Sequence, residues 1–127
     1  MNLLLDTQII LWLTVAPERL STVARQVIGD SANDLSFSTI SIWEVAIKRG
    51  LRRSDFRVDP AELRGALLHD GYRELPFTSD HALAVQALPP LHRDPFDRAL
   101  LAQAEKEGLA LLTSDRALGR YPGAMQV

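Results

Sequence analysis

The chain opens with three leucines followed by an acid, and this run limits the folds the chain can adopt. Leu3, Leu4 and Leu5 have no polar residue between them and are followed directly by Asp6. An unbroken apolar run of this kind is typical of a parallel strand that is covered on both faces. Open parallel α/β sheets bind their ligands outside the carboxyl ends of the strands, so the sequence predicts chemistry around Asp6.

A second buried strand with the same ending comes late in the chain, and helical patterns fill the space between the two. Leu109 to Thr113 is apolar and is soon followed by Asp115. The expected helices start at Thr7, Ser21, Ser41, Asp59, Ser79 and Asp94, and the other expected strands cover 34–38, 72–77 and 124–127. Strands that alternate with helices predict an α/β sandwich around a parallel sheet with right-handed crossovers.

Composition narrows the class of protein further. A length of 127 residues predicts one domain, and the absence of cysteine excludes a disulfide framework, a thiolate metal site and a cysteine nucleophile. The net charge of −2 indicates that no global basic field attracts nucleic acid. The apolar stretch from Ile9 to Leu13 is too short to span a membrane, so we expect a cytoplasmic protein without a membrane partner.

Four acids stand at the ends of predicted elements. Asp6 and Asp115 follow strands, Glu44 completes a capping-box pattern with Ser41, and Asp97 lies in the first turn of a helix. Each acid taken singly could be an ordinary helix cap or turn residue. If the first and fourth strands are neighbours, however, the acids crowd one pocket, and a hard divalent cation such as Mg²⁺ or Mn²⁺ suits them. Such an ion would support hydrolysis of phosphodiesters.

Other notable residues permit more than one interpretation. The three histidines follow no metal-ligand or triad spacing, and we expect His92 to be a loop residue. The basic segment from Lys48 to Arg57 is either a solvated face or a surface for RNA or an acidic partner, and its place at the far end of a helix argues against contact with the metal. Trp12 and Trp43 fit the core better than an interface, although Trp12 could pack against a second subunit.

Four motifs in order support a family resemblance. Leu-Leu-Leu-Asp-Thr, Ser-Ile-Trp-Glu-Val-Ala-Ile-Lys, His-Arg-Asp-Pro-Phe-Asp-Arg and Leu-Leu-Thr-Ser-Asp begin at residues 3, 41, 92 and 111. Together they resemble the PIN-domain proteins, specifically the VapC-type toxins of bacterial type II toxin–antitoxin pairs. The resemblance covers essentially the whole chain. It implies a PIN-like three-layer sandwich with a mostly parallel central sheet, and one nuclease domain over residues 1–127.

The resemblance also implies an activity and a set of site residues. A VapC-type toxin is a Mg²⁺- or Mn²⁺-dependent endoribonuclease that its cognate antitoxin inhibits and that is usually a homodimer. By the same resemblance Asp6, Glu44 and Asp97 form the metal-binding core with Asp115 as the fourth acid. Thr7 and Ser114 would be accessory polar groups. Asp94 is ambiguous, since its Asp-Pro context favours a helix cap while its closeness to Asp97 could bring it near the metal.

Two other functions are alternatives to the nuclease hypothesis. A receiver-like signalling domain also gathers acids at strand ends, but it needs an acid after a central strand and a lysine after a late one. Here Phe37-Ser38 ends without an acid, and Thr113-Ser114-Asp115 contains no lysine. A non-catalytic PIN-like protein that only binds a partner is the other alternative, and the full set of acids argues against it.

Overall fold

The computed structural model describes residues 1–51 and 57–127. Their strands are β1 (Asn2–Leu5), β2 (Asp34–Ser38), β3 (Arg73–Leu75), β4 (Ala110–Thr113) and β5 (Ala124–Gln126). Their α-helices are α1 (Thr7–Val15), α2 (Thr22–Gly29), α3 (Thr39–Gly50), α4 (Pro60–His69), α5 (Ser79–Ala84) and α6 (Pro95–Glu107). Short 3₁₀ turns follow α1, follow α5 and precede β5.

The five strands form one parallel sheet in the order β3-β2-β1-β4-β5. The expected parallel α/β architecture is therefore confirmed. From β1 the chain adds β2 and β3 on one side of the sheet, and it then crosses to the other side to add β4 and β5. The strand order therefore reverses between β1 and β4, which is the switch point at which open parallel sheets bind ligands. Leu5 of β1 pairs with Leu112 of β4, and the backbone N–H of Asp6 donates to the Leu112 carbonyl at 3.0 Å.

Helices cover both faces of the sheet and give three layers. The leucines of β1 are fully buried: Leu5 packs with residues of α1, α2 and α4, while Leu4 packs with residues of α6. An unbroken apolar strand is the pattern that burial on both faces requires. The two cores hold the carboxyl ends of β1 and β4 at a fixed separation, and the site lies there.

The start of α3 differs from the sequence expectation. Ser41 is not a helix cap and forms no capping box with Glu44, because α3 begins at Thr39 and its N-cap is Ser38, whose Oγ accepts the N–H of Ile40 at 3.0 Å. Strand β2 runs directly into the helix without a loop, which moves the cap back to the strand's last residue. Glu44 therefore lies in the second turn, and its neighbour one turn further on is Lys48.

Two smaller expectations also need correction. Trp43 is not a core residue: 56% of it is exposed, and its ring meets Phe96 edge-on at 5.1 Å. Thr78, not Ser79, caps α5, where it pairs with the buried His81. Trp12 is partly buried against the core that contains Leu5. No helix within residues 1–51 and 57–127 has the length and apolar character needed to cross a membrane.

Candidate metal centre

A cleft of about 300 Å³ opens at the switch point between β1 and β4. Its polar lining includes all four acids singled out from the sequence, together with Asp94. The lining residues are Asp6, Thr7, Gln8, Leu11, Glu44, Lys48, Asp94, Asp97, Ser114, Asp115 and Leu118. The acids come from four separate places in the fold: the end of β1, the second turn of α3, the start of α6 and the loop after β4.

Asp6 is the most enclosed of the four acids, with 3% of its surface exposed. One carboxylate oxygen accepts the backbone N–H of Ile9 at 2.8 Å, so the residue caps α1. The other oxygen accepts a short hydrogen bond from the Thr113 hydroxyl. Burial raises the pKa of Asp6 to about 6, and the charges of Asp115 and Glu44 add to the rise, while the two hydrogen bonds oppose it.

Asp97 lies in the first turn of α6 and faces the same cleft. Burial raises its pKa to about 7, and the negative charges of Asp94, Glu44 and Asp6 raise the pKa further. The raised pKa means that the negative charge of this carboxylate is poorly stabilised, because most of its charged neighbours are also acids. His92 is the group that opposes this rise, with its Nε2 at 3.2 Å from the carboxylate.

His92 also contacts Asp115 and is the site residue that the sequence analysis missed. Its Nε2 lies 3.4 Å from Asp115, and its Nδ1 accepts the backbone N–H of Asp94 at 3.1 Å. Because Nδ1 accepts an N–H, it is Nε2 that faces the acids with a proton; it donates to Asp115, and the Asp97 carboxylate lies beside it at 3.2 Å. Arg98 holds the carbonyl of His92 at 3.3 Å and thereby anchors this loop.

Asp115 is the most exposed of the four acids, and its pKa is shifted in the opposite direction to the pKa values of Asp6 and Asp97. Burial would raise its pKa, but the N–H groups of Ala117 and Leu118 and the ring of His92 outweigh that effect and lower the pKa below its ordinary value. Thr113 connects this acid to Asp6, because its hydroxyl donates to Asp6 and accepts the N–H of Asp115 at 3.0 Å. The sequence motif contained Thr113, but nothing in its spacing indicated this bridging position.

Glu44 is buried, with 6% exposed, and its two oxygens differ. Oε2 lies 2.9 Å from the ammonium of Lys48, whereas the buried Oε1 has no hydrogen-bond partner within the described residues. Helix α3 is tied to α1 nearby, where Thr7 donates to the buried Ser41 at 2.9 Å. Of the two expected accessory groups, Thr7 thus supports the packing of the site, and Ser114 lines the cleft.

The position of Lys48 corrects the expectation for the basic segment. Lys48 lines the acidic cleft, because it follows Glu44 by four residues and so lies one helical turn further on the same face of α3. Arg49 instead faces Asp59, at 3.6 Å. Residues 52–56 of that segment lie outside the described residues.

These acids have the chemistry of a site for a hard divalent cation. The donors are carboxylate oxygens, two of the carboxyl groups have raised pKa values, and one buried oxygen of Glu44 has no partner in the described chain. Each of these features is one that a divalent cation bound among the acids would relieve. Mg²⁺ and Mn²⁺ prefer oxygen ligands, so the residues present fit such an ion.

Asp94 acts as the N-cap of α6, since its Oδ1 accepts the N–H groups of Phe96 and Asp97 at 2.8 and 3.1 Å. Because serine caps as well as aspartate, we expect Asp94→Ser to unfold at nearly the wild-type temperature, whereas Asp94→Ala should lose about 1 kcal/mol. Thermal unfolding measures this difference. If Asp94→Ser also kept its affinity for Mn²⁺ by calorimetry, Asp94 would be a cap and not a ligand, while a tenfold loss would make it part of the site.

The fold and its cleft define a class: a three-layer α/β/α protein that gathers carboxylates at the switch point of a parallel sheet. A model of the PIN domain matches residues 3–124. The chain therefore belongs to the PIN domain family.

One relative is similar over nearly its full length. Ribonuclease VapC22 of Mycobacterium tuberculosis is 32% identical to the chain over 129 residues, and the match covers 99% of this chain and 98% of the relative. Family membership therefore has support from an overall match and does not depend on short motifs.

Solved structures share the fold. VapBC2 from Rickettsia felis, bound to a DNA fragment from its promoter, matches with a TM-score of 0.72 at 13% identity, covering 100% of this chain and 98% of that one. A toxin–antitoxin complex from Klebsiella pneumoniae matches with a TM-score of 0.65 at 21% identity, covering 97% and 95%. VapBC-1 from nontypeable Haemophilus influenzae gives 0.65 at 20% identity, covering 100% and 97%.

Proposed function

We propose that the chain is a divalent-cation-dependent endoribonuclease and the toxin of a type II toxin–antitoxin pair. The observation that carries the proposal is the cleft, in which acids from four parts of the fold converge while Glu44 keeps a buried oxygen without a partner in the described residues. The full-length similarity to a protein named Ribonuclease VapC22 supports RNA as the substrate.

Asp6, Glu44, Asp97 and Asp115 are the proposed ligands of Mg²⁺ or Mn²⁺. When bound, such an ion lowers the pKa of water and neutralises charge that develops on a phosphate. The chain contributes the positions of the acids: Asp6 is fixed by Ile9 and Thr113, and Asp115 by its backbone donors. His92 Nε2 donates to Asp115 and lies 3.2 Å from Asp97, so this one nitrogen holds the two acids near each other.

The partners follow from the relatives and belong to the same proposal. Neighbours of the same fold were solved as toxin–antitoxin complexes, which supports a cognate antitoxin for this chain. We further propose that residues 1–127 form one nuclease domain and that the toxin is a homodimer. A PIN-like protein that binds a partner without catalysis is the second candidate, and it gives no reason for so many acids, two of them buried, to face one cleft.

The test compares RNA cleavage by the purified protein with Mn²⁺, with Mg²⁺ and with a chelator. We expect cleavage of cellular RNA with either ion, no cleavage with the chelator, and recovery when Mn²⁺ is returned, because carboxylates alone supply no electrophile. The protein encoded directly upstream of the gene should suppress cleavage when added. Cleavage that persists in the chelator would contradict the proposal.

A further inference from the structure

Lys48 occupies an unusual place for a basic residue. It lines the acidic cleft, and among the lining residues of the described chain it alone is positively charged. Its ammonium lies 2.9 Å from Oε2 of Glu44, although 39% of its side chain is exposed while Glu44 is buried. An i,i+4 pair on a helix surface normally joins two solvated groups, whereas this pair joins a partly exposed cation to a buried acid.

Glu44 can exchange this partner for a metal ion. The Lys48 ammonium satisfies one of its oxygens, and the other is buried without a hydrogen-bond partner in residues 1–51 and 57–127. A divalent cation carries twice the charge of the ammonium and suits the acids around it better. When such a cation binds Glu44, electrostatic repulsion between the two positive charges favours the departure of Lys48.

The released side chain remains beside the cleft. Four flexible methylenes carry its ammonium, which is a compact point charge able to find a new oxygen partner within reach. An RNA backbone entering this cleft meets five carboxylates, and phosphates need positive charge to approach them. A non-bridging phosphate oxygen is therefore the partner that the surroundings favour for the free ammonium.

We propose that Lys48 is an exchangeable counter-ion: it neutralises Glu44 while no cation is bound, and it binds a phosphate of the RNA backbone once the cation has taken Glu44. This inference rests on the proposed nuclease function and adds to it a substrate-binding residue. It assigns two successive partners to one side chain, so removal of the charge has effects of opposite sign on metal and on RNA.

The test uses Lys48→Met, which keeps most of the apolar stem and removes the charge. Calorimetry without RNA should give an affinity for Mn²⁺ about two- to fivefold higher than wild type, because the competing ammonium is gone. Cleavage of cellular RNA at saturating Mn²⁺ should fall about tenfold in kcat/KM, as expected for the loss of one charged hydrogen bond. The slope of log kcat/KM against log salt should become shallower by about 0.7.

The chain supplies its own control, since Lys106 is its one other lysine and lies exposed in the last turn of α6, away from the cleft. Lys106→Met should match wild type in all three measurements. Lys48→Arg keeps the positive charge and should recover most of the RNA cleavage. Weaker Mn²⁺ binding by Lys48→Met would overturn the proposal, because it would mean that Lys48 only holds Glu44 in place.

Unchanged kcat/KM in Lys48→Met would also overturn it, because no phosphate contact would have been lost. A wild type that binds Mn²⁺ but cleaves no RNA would refute the proposed function instead. The calorimetric comparison would then still decide whether Lys48 and the cation compete for Glu44.

Discussion

Asp6→Asn is expected to reduce RNA cleavage by roughly a hundredfold or more while the metal-free protein stays as stable as wild type or becomes more stable. If Asp6 is a ligand, the variant loses a negative charge that holds the cation, and a metal-bound transition state depends on that charge for several kcal/mol. Folding does not suffer, because Asn keeps the oxygen that caps α1 through the N–H of Ile9, and its amide N–H can donate to the Thr113 hydroxyl where the carboxylate accepted from it.

The expected gain in stability has a separate cause. Asp6 is buried with a pKa raised to about 6, so its charge is unfavourable in the folded, metal-free protein at neutral pH. The neutral amide removes the repulsion with Asp115 and Glu44. We expect the free energy of unfolding in a chelator at pH 8 to rise by about 1–3 kcal/mol, measured by urea denaturation.

A matched control is available at the start of α4. Asp59 also caps a helix, accepting the N–H groups of Ala61 and Glu62, and it lies outside the cleft. Asp59→Asn should cleave RNA as wild type does. Undiminished cleavage by Asp6→Asn would remove Asp6 from the proposed ligands, and lost cleavage with wild-type affinity for Mn²⁺ would limit its role to orienting neighbours.

The sequence was sufficient for the sheet and for the place of the site because both depend on local patterns. An unbroken leucine run can be buried on both faces only inside a sandwich, and an acid directly after such a strand must lie at the sheet's carboxyl edge. The cap of α1 at Asp6 and the Asp-Pro starts of α4 and α6 are equally local, and the structure has them as expected.

The contacts that could not be predicted from the sequence are those between residues of separate helices, strands and loops. His92 follows no ligand spacing, since its acids belong to α6 and to the loop after β4, and the anchoring of its own loop by Arg98 sets its position. Lys48 was misplaced for a different reason, because the basic segment was considered as one unit. Lys48 follows Glu44 by four residues, which is about one helical turn, so it lies on the same helix face as Glu44.

Without divalent metal, the free energy of unfolding is expected to fall as pH rises from 5 to 8. Asp6 and Asp97 have pKa values of about 6 and about 7 in the folded protein, against 3.8 for an ordinary aspartate. Between pH 3.8 and pH 7 the folded state therefore binds more protons than the unfolded state, so stability decreases with rising pH through this window. By about pH 8, one unit above the higher of the two pKa values, both groups are ionised in both states and the loss is nearly complete.

The size of the effect makes it measurable by urea denaturation in a chelator. The two pKa shifts together predict that the free energy of unfolding falls by roughly 3 kcal/mol between pH 5 and pH 8. This figure is less than the sum of the two separate effects, because part of each shift comes from the repulsion between the same two acids. The Asp6→Asn, Asp97→Asn double variant controls for all other titrating groups, and its stability should vary far less over the same range. A wild type whose stability is constant or rises from pH 5 to pH 8 would contradict the raised pKa values.

Addition of Mn²⁺ should reverse the loss at pH 8 and have little effect at pH 5. Carboxylates that are protonated at pH 5 in the folded state bind the cation poorly, whereas at pH 8 the same groups are ionised and repel one another until an ion neutralises them. At a free Mn²⁺ concentration of 100 times Kd, linkage predicts a gain of about 2.7 kcal/mol. The double variant lacks two of the proposed ligands and should gain much less. An equal gain by wild type and double variant at pH 8 would place the bound Mn²⁺ outside this cleft.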